Sequence, residues 1–385
     1  MSNVKSSLRQ TDAGPWTLDF RQHEQMTLDK DTVGLRAGEE LNLPALDDYL
    51  RQHLAASDFD PTASLELKQF PGGHSNLTYL IRYGKDEFVL RRPPLGPVAP
   101  TAHNMPREHH LLSVIHPHFP LAPRPLLLCE DLDVIGAPFY LMERRQGLIV
   151  RQSLPAPLDE DLCARRRLSE AVVDTLAELH AVDIHATNIV SIGKPEGLVR
   201  RQVQGWAERW QRSKTGPLEE MERIIGWLEQ HLPPESGSDA ATIVHNDFKL
   251  DNLMLADDDP AHVIAVLDWE MTTVGDPLID LGLVLTYWTM RGPQQGEQNR
   301  SLTAVTNGPG WFTPEEIIQS YQAKTGRDVS HIVFYEVFAR FKVAVVVQQI
   351  YFRFVKGQTQ DERFRNLDRL VSALTDEALT KARGE

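Results

Sequence analysis

Two short apolar runs, Thr242–Val244 and Leu253–Leu255, are separated by only eight residues, His245-Asn246-Asp247-Phe248-Lys249-Leu250-Asp251-Asn252. A third run, Val263–Leu267, leads directly into Asp268. No other feature constrains the fold as tightly. The eight residues must form a loop between strands, so Asp247 and Asn252 share one turn. A hairpin from Leu253 to Leu267 then returns the chain, so that Asp268 arrives beside Asn252. A carboxylate, an amide and a second carboxylate gathered this way are the minimal equipment for phosphoryl transfer. Asp247 suits the group that takes the proton from an attacking hydroxyl. Asn252 offers a neutral oxygen and Asp268 a charged one to magnesium, a hard cation that is otherwise bound by phosphates and water. His-x-Asp or Asp-Asn alone is equally an ordinary turn. The joint order of strand, loop, strand and strand-terminal Asp is what carries the reading.

The pattern elsewhere divides the chain. Residues 1–40 are polar without sustained period and read as an N-terminal arm. Residues 41–143 begin with a helical stretch, Pro44–Leu54, with Pro44 in its first turn. Short β-like runs follow at Leu65–Phe70, Leu77–Arg82, Glu87–Arg91, Leu126–Cys129 and Pro138–Glu143, separated by turn signals such as Pro71-Gly72-Gly73 and Gly84-Lys85-Asp86. One helix is expected at Met105–Ile115. Residues 144–385 turn helical, with Leu168, Val172, Leu176 and Leu179 at helical spacing and further helices at Gln204–Arg212, Leu218–His231, Asp280–Met290, Pro314–Thr325 and Ser330–Val355. The expected fold class is α+β, a small sheet-based lobe joined to a larger helical one.

Charge and cysteine content narrow the function classes. A net charge of −14 argues against a nucleic-acid binder, whose footprint is basic. Cys129 and Cys163 suggest neither a disulfide framework nor a zinc site. Met1–Trp16 lacks the apolar core of a signal peptide. The most apolar stretch, Ile332–Val355, carries Glu336, Arg340, Lys342 and Arg353, so a buried helix is expected there rather than a membrane span. A cytoplasmic, reduced setting follows as an expectation.

These motifs resemble the catalytic and metal segments of the aminoglycoside phosphotransferase / choline kinase superfamily, which has a protein-kinase-like two-lobed fold. Within it they are most similar to the kinase-like domain fused to some acyl-CoA dehydrogenases. The stretches Phe70–Tyr79, Phe88–Arg92, Phe139–Glu143, Leu176–Asp183 and Asp276–Gly282 extend the resemblance over roughly Leu43 to Leu374. It implies ATP and Mg2+ as cofactors and a small-molecule hydroxyl compound as acceptor. Gly72, Gly73, His74, Ser75 and Asn76 fall where the family covers the nucleotide phosphates, although the same residues also suit a plain hairpin turn. Arg91 stands where a lysine usually meets the α- and β-phosphates, and Glu108 is its expected ion-pair partner, or else a surface glutamate. Met142, Glu143 and Arg145 correspond to the interlobe hinge that receives adenine. His245 and Asp280 are expected to support the catalytic loop; Asp276 either does the same or caps its helix.

Departures from the protein-kinase pattern direct the choice of acceptor. Asn246 replaces the Arg of His-Arg-Asp, Trp269-Glu270 replace Phe-Gly, and no Ala-Pro-Glu segment follows Asp268. The peptide platform is therefore missing, and a small acceptor is favoured. Val337–Lys356 contains Arg340, Lys342, Arg353 and Lys356 beside Tyr351, Phe352 and Phe354, with no acid. If this helix lines the cleft, it suits an anionic or acyl-bearing hydroxyl compound such as a hydroxyacyl-CoA. An aminoglycoside is the alternative acceptor, and a nucleotide-binding pseudokinase serving as an interaction module is the alternative of another class. His103, His109, His110, His116 and His118 lack clean metal spacing. His180 reads as a satisfied buried histidine. Arg92, Arg165-Arg166-Arg167 and Arg200-Arg201 read as solvated, and the tryptophans as core or rim.

Overall fold

The computed structural model describes residues 31–55, 58–71, 76–95, 103–151, 154–187, 189–234, 240–291, 304–359 and 361–384. Helix α1 (Leu43–His53) starts at Asn42, whose side chain accepts from Ala45 N–H, with Pro44 in the first turn. Strands β1 (Leu65–Gln69), β2 (Leu77–Tyr83) and β3 (Asp86–Arg92) follow, then α2 (Met105–Ile115), β4 (Pro125–Cys129) and β5 (Phe139–Glu143). The five strands form one antiparallel sheet in the order β1-β2-β3-β5-β4.

Strand alternation gives this sheet two different faces. Tyr79, Ile81, Phe88, Leu90, Phe139 and Leu141 pack with Leu46 and Leu50 of α1 into one core. Val89, Tyr140 and Met142 point the other way, pack with Leu111, Leu112 and Ile115 of α2, and belong to the core that runs on through the helical lobe. The parity of β3 thus sends Arg91 toward the second lobe and Arg92 toward α1. Arg92 is consequently buried and donates to Ile135 O (3.1 Å), which corrects the solvated reading.

The tail end of the expected polar arm is part of this lobe. Val33 exchanges backbone hydrogen bonds with Gln69 (2.7 and 3.0 Å), and Tyr79 Oη donates to Glu39 O (2.8 Å). The outer edge of β1 is thereby paired at its last residue, Gln69. Residues 1–30 lie outside the described residues.

A short strand, β6 (Leu148–Ile149), opens the helical lobe, followed by α3 (Leu162–His180), α4 (Leu198–Ser213) and α5 (Glu219–Gln230). Arg165 of α3 is buried rather than solvated, since its guanidinium donates to Leu158 O (2.6 Å) and Pro309 O (3.1 Å). Next come β7 (Thr242–Val244), β8 (Leu253–Leu255), β9 (Val263–Val266) and β10 (Thr273–Gly275), then α6 (Leu278–Thr289), α7 (Pro314–Thr325), α8 (Ile332–Val355) and α9 (Leu367–Arg383). β7 pairs with β10, and β8 lies between β6 and β9. These two small sheets clamp both ends of the two loops that carry Asp247 and Asp268.

Helix α8 is the central pillar: Val337, Phe338, Ala339, Phe341, Ala344 and Val345 are buried, and the helix packs on α4, α6 and α9. Among the described residues no helix is long and apolar enough to cross a membrane. The approach of α6 to α8 depends on Gly282, where a Cβ atom would sit 2.5 Å from Tyr335 O and 2.7 Å from its carbonyl carbon. Backbone atoms in a packed helix cannot move aside cheaply. Gly282→Ala should therefore destabilise the protein by about 1–3 kcal/mol in urea unfolding. Helix propensity alone gives the opposite sign, so a stabilised variant would show that the contact is not limiting.

Candidate active site

The site is assembled on backbone hydrogen bonds. At the start of the Asp247 loop, the buried Asp280 carboxylate accepts from His245 N–H (2.6 Å, Oδ2) and Asn246 N–H (2.7 Å, Oδ1). Asp280 sits in the first turn of α6, where the helix dipole favours a negative charge. His180, fully buried, lies 3.3 Å from Asp280 Oδ2 through Nε2. Burial lowers the His180 pKa, so the ring is neutral: Nε2–H donates to Asp280, and Nδ1 accepts from Tyr321 Oη (2.7 Å). The satisfied buried histidine of the sequence reading is thus also the brace behind Asp280.

Asn246 adopts a left-handed backbone (φ 66°), as does Asp268 (φ 67°). This conformation costs about 1–2 kcal/mol for an ordinary residue and less for Asn or Asp. At Asn246 it is held by Lys342 of α8, whose Nζ donates to Asn246 O (2.7 Å) and Oδ1 (3.2 Å), while Asn246 Nδ2 donates to Met271 O (3.1 Å). His245 donates from Nε2 to Leu267 O (3.0 Å) and accepts Asp247 N–H at Nδ1 (3.3 Å). One imidazole thus ties the two loops together.

These braces present the Asp247 carboxylate to three donors. Tyr287 Oη donates to Oδ1 (3.2 Å), Asn252 Nδ2 donates to Oδ2 (2.9 Å) and to Asp247 O (2.8 Å), and Lys249 Nζ lies 3.0 Å from Oδ2. Both groups facing Asn252 Nδ2 can only accept, so the amide orientation is fixed by chemistry and Asn252 Oδ1 is turned away from them. Lys249 lies over the Tyr287 ring at 5.0 Å. Burial opposes its charge, but Tyr287, Asp247 and Asp251 outweigh that and hold the ammonium firmly protonated.

The second carboxylate arrives as the hairpin requires: Leu267 N–H donates to Asn252 O (2.8 Å), setting Asp268 next to Asn252. From the sheet lobe, Arg91 reaches both sides of the cleft. Its Nη1 donates to Glu108 Oε1 (2.8 Å) and its Nη2 to Asp268 Oδ1 (3.2 Å), with Glu270 Oε2 3.7 Å away. Burial disfavours its charge, yet these acids keep Arg91 protonated. A forked guanidinium spans two carboxylates in a way that one ammonium cannot. Glu108 is buried on α2, so it is the partner of Arg91 and not a surface glutamate.

Of the expected phosphate loop, Gly72, Gly73, His74 and Ser75 lie outside the described residues. Asn76 is buried, donates from Nδ2 to Glu270 Oε2 (2.6 Å), and its Oδ1 meets His103 Nδ1 (2.9 Å). At the end of β5, Met142 is buried. Glu143 N–H donates to Arg124 O (2.9 Å), and the Glu143 carboxylate accepts from Arg145 Nε (2.7 Å). That Glu143 amide is spent within the sheet lobe. No group of three or more His, Cys, Asp or Glu able to hold a metal occurs among the described residues, including the histidine-rich stretch. The donor set Asn252 Oδ1 plus the Asp268 carboxylate nevertheless fits magnesium, which takes few protein oxygens and draws the rest from phosphates and water.

The cations of Val337–Lys356 are divided between core and surface and do not form the expected basic face. Arg340 is buried against Glu336 (3.5 Å) and Glu377 (3.6 Å), and Lys342 is the loop brace described above; only Arg353 and Lys356 of that set are exposed. Sequence reasoning missed Lys249, Tyr287, Glu270 and Lys342 as parts of the site. A Lys amid a long apolar stretch, at position 342, was the one available signal.

Residues 66–313 match the profile of the phosphotransferase enzyme family, and the chain belongs to that family. It is 33% identical over 88% of its length to acyl-CoA dehydrogenase family member 11 of Rattus norvegicus, and 34% identical over 86% to family member 10 of Mus musculus. The matches cover 43% and 30% of those proteins, so the chain spans less than half the length of either. A Ralstonia eutropha structure described as an aminoglycoside phosphotransferase superposes with a TM-score of 0.75 at 28% identity, covering 90% of this chain and 99% of that one. Choline kinase of Cryptosporidium parvum superposes at 0.61 with 11% identity, covering 89% and 95%, a likeness of fold alone. The fold is the protein-kinase-like one of these phosphotransferases.

Burial drives Lys342 down to about 8, with Asp247 and Asp280 opposing the shift and Arg209 and Lys249 adding to it. Its ordinary value in an unfolded chain is about 10.4. Between these values the unfolded state holds the proton and the folded state does not, so stability rises with pH from 8 toward 10. Lys342→Met should abolish this rise, worth up to about 3 kcal/mol. Urea midpoints of both proteins at pH 7.5 and 9.5 measure the difference, and parallel behaviour would contradict a folded state in which Lys342 gives up its proton well before the unfolded chain does.

Proposed function

We propose that this chain is an ATP- and Mg2+-dependent small-molecule O-kinase. The observation that carries the reading is the Leu267 N–H to Asn252 O bond (2.8 Å) together with Asn252 Nδ2 on Asp247 (2.9 Å), which sets Asp247, Asn252 and Asp268 around one cleft. In this reading Asp247 accepts the proton of the attacking hydroxyl. The acceptor oxygen forms a bond to the γ-phosphorus, the bond from that phosphorus to the β–γ bridging oxygen breaks, and ADP leaves with the electron pair. Asn252 and Asp268 would hold magnesium, which when bound neutralises the phosphate oxygens. Arg91 would bind the α- and β-phosphates from its seat on Glu108. Asn76 and the preceding glycines would cover the phosphates, and Met142 with the Glu143 carbonyl and the backbone of Arg145 would take adenine, the Glu143 amide being held by Arg124 O.

The favoured acceptor is a hydroxylated acyl compound, with hydroxyacyl-CoA as its working form. Exposed Arg353 and Lys356 at the end of α8, beside the half-buried Tyr351, Phe352 and Phe354, support an anionic, partly apolar ligand. The names of the acyl-CoA dehydrogenase family members lean the same way. Aminoglycosides rank second; the fold is shared with a phosphotransferase described in complex with GDP and kanamycin, at 14% identity. The pseudokinase reading draws on Arg91, whose guanidinium occupies Asp268, the carboxylate that magnesium needs.

Phosphate transfer from ATP should be found with a hydroxyacyl-CoA panel; turnover of kanamycin alone would sink that acceptor. Asp247→Ala should lower transfer by at least about a hundredfold while leaving calorimetric ATP binding intact. Asp268→Ala should chiefly weaken the magnesium-dependent part of that binding. A wild type with no affinity for ATP and Mg2+ would favour the interaction module.

A further inference from the structure

We infer that Arg107 is a positioning residue for Asp268, holding the loop that carries this carboxylate against the sheet lobe by its backbone. The inference rests on the proposed kinase reading, in which Asp268 meets magnesium, and goes beyond it. Arg107 lies in the first turn of α2, where its own N–H is fixed by the Asn104 side chain (2.9 Å). From there its half-buried guanidinium crosses to the other lobe. Nη1 donates to Glu270 O (3.3 Å) and Nη2 to Thr272 O (2.6 Å). These two carbonyls flank Met271, at the end of the single helical turn Trp269–Met271 that begins directly after Asp268. Trp269 is buried and donates from Nε1 to Val266 O (2.8 Å), so the turn and Asp268 are held as one unit. Asp268 itself is left-handed (φ 67°), a conformation that the segments on either side must maintain. Leu267 N–H on Asn252 O (2.8 Å) holds the upstream side. Arg107, with the pairing of β10 on β7, holds the downstream side.

Adjacent residues of α2 thus reach the same loop by two routes. Glu108 seats Arg91 (2.8 Å), and Arg91 Nη2 holds the Asp268 carboxylate (3.2 Å). That route uses the groups that a nucleotide and its metal would claim: the guanidinium for phosphates and the carboxylate for magnesium. Arg107 places its donors on main-chain carbonyls and makes no claim on the Asp268 side chain. It is therefore the route that survives loading of the site. A forked guanidinium suits the task, because one planar group reaches two carbonyls where an ammonium offers a single point of attachment. A carboxylate already held in place removes the ordering cost from the binding step, and so raises affinity for the ion it meets.

Arg107→Met keeps an unbranched apolar stem and deletes the donors, while Arg107→Lys keeps the charge on a single head. Calorimetric affinity for ATP is measured in magnesium and in EDTA, and hydrogen exchange of residues 268–275 is followed by mass spectrometry in the free protein. Arg107→Met should lower the affinity in magnesium by about tenfold, the lower end of what a hydrogen bond to a charged group contributes. Its affinity in EDTA should be unchanged. Amides of 268–275 should exchange faster and those of α2 at the wild-type rate, with Arg107→Lys between the two proteins. General damage to the fold lowers both affinities together. An equal loss in magnesium and in EDTA, an unaltered affinity in magnesium, or unaltered exchange of 268–275 overturns the inference and leaves the kinase reading standing. A wild type with no affinity for ATP in magnesium removes the kinase reading, and this inference with it.

Discussion

The Asp280 carboxylate is the interaction on which the site is built. It is completely buried and takes the two adjacent amides of His245 and Asn246 at 2.6 and 2.7 Å. An unpaired buried carboxylate would be prohibitive. Here two amides, a helix N-terminus and the His180 imidazole compensate it, and in return it forces a tight turn directly before Asp247. The left-handed Asn246 is a consequence of that turn. Lys342 then holds the Asn246 carbonyl, which the turn would otherwise leave buried beside α8. Removing Asp280 would strand two buried N–H groups at about 1–3 kcal/mol each. The geometry of Asp247 therefore depends on a residue that never approaches it.

Much of this was legible in the sequence because local order sets it. The runs flanking His245–Asn252 could only be strands, and a hairpin from Leu253 must return Asp268 to Asn252. Alternation within Phe88–Arg92 carried more information than the sequence reading extracted. Phe88 and Leu90 pack on one face and Val89 on the other, so Arg92 had to be buried with α1 and not solvated. The strands β6 and β10 were not anticipated, since runs of two or three residues show no period. Helix α9 went unnoticed, although Leu367, Leu370, Val371 and Leu374 have helical spacing.

Tyr287 and Lys342 could not be read from the chain for a different reason. They lie 40 and 96 residues from the loop partners they touch. Both sit on helices that are apolar nearly all round, so periodicity does not say which polar residue faces a loop. The same ambiguity misled the cleft argument. A stretch with Arg340 and Lys342 looks like a basic surface, but the structure buries both: Arg340 against Glu336 and Glu377, Lys342 on a backbone carbonyl. The acceptor proposal accordingly stands on Arg353 and Lys356, not on four cations.

The partners of the two carboxylates divide by lobe. Tyr287, Asn252 and Lys249, which touch the Asp247 side chain, all belong to the helical lobe, as do Asp280 and Lys342 behind it. The Asp268 segment is instead strung between lobes. Arg91 of β3 holds Asp268 at 3.2 Å, Asn76 holds Glu270 at 2.6 Å, and Arg107 of α2 donates to Thr272 O at 2.6 Å. A change in the angle between lobes would leave Asp247 in place and displace Asp268. Arg at position 91 reinforces this arrangement, because its fork joins Glu108 to Asp268 and makes the cation itself a link between the lobes. In the proposed kinase reading, binding of a nucleotide and its metal would exchange the Arg91–Asp268 contact for phosphate contacts on Arg91 and metal contacts on Asp268. On that reading two interactions would replace one ion pair within the same small volume, and lobe orientation would be linked to nucleotide occupancy at Asp268 rather than at Asp247.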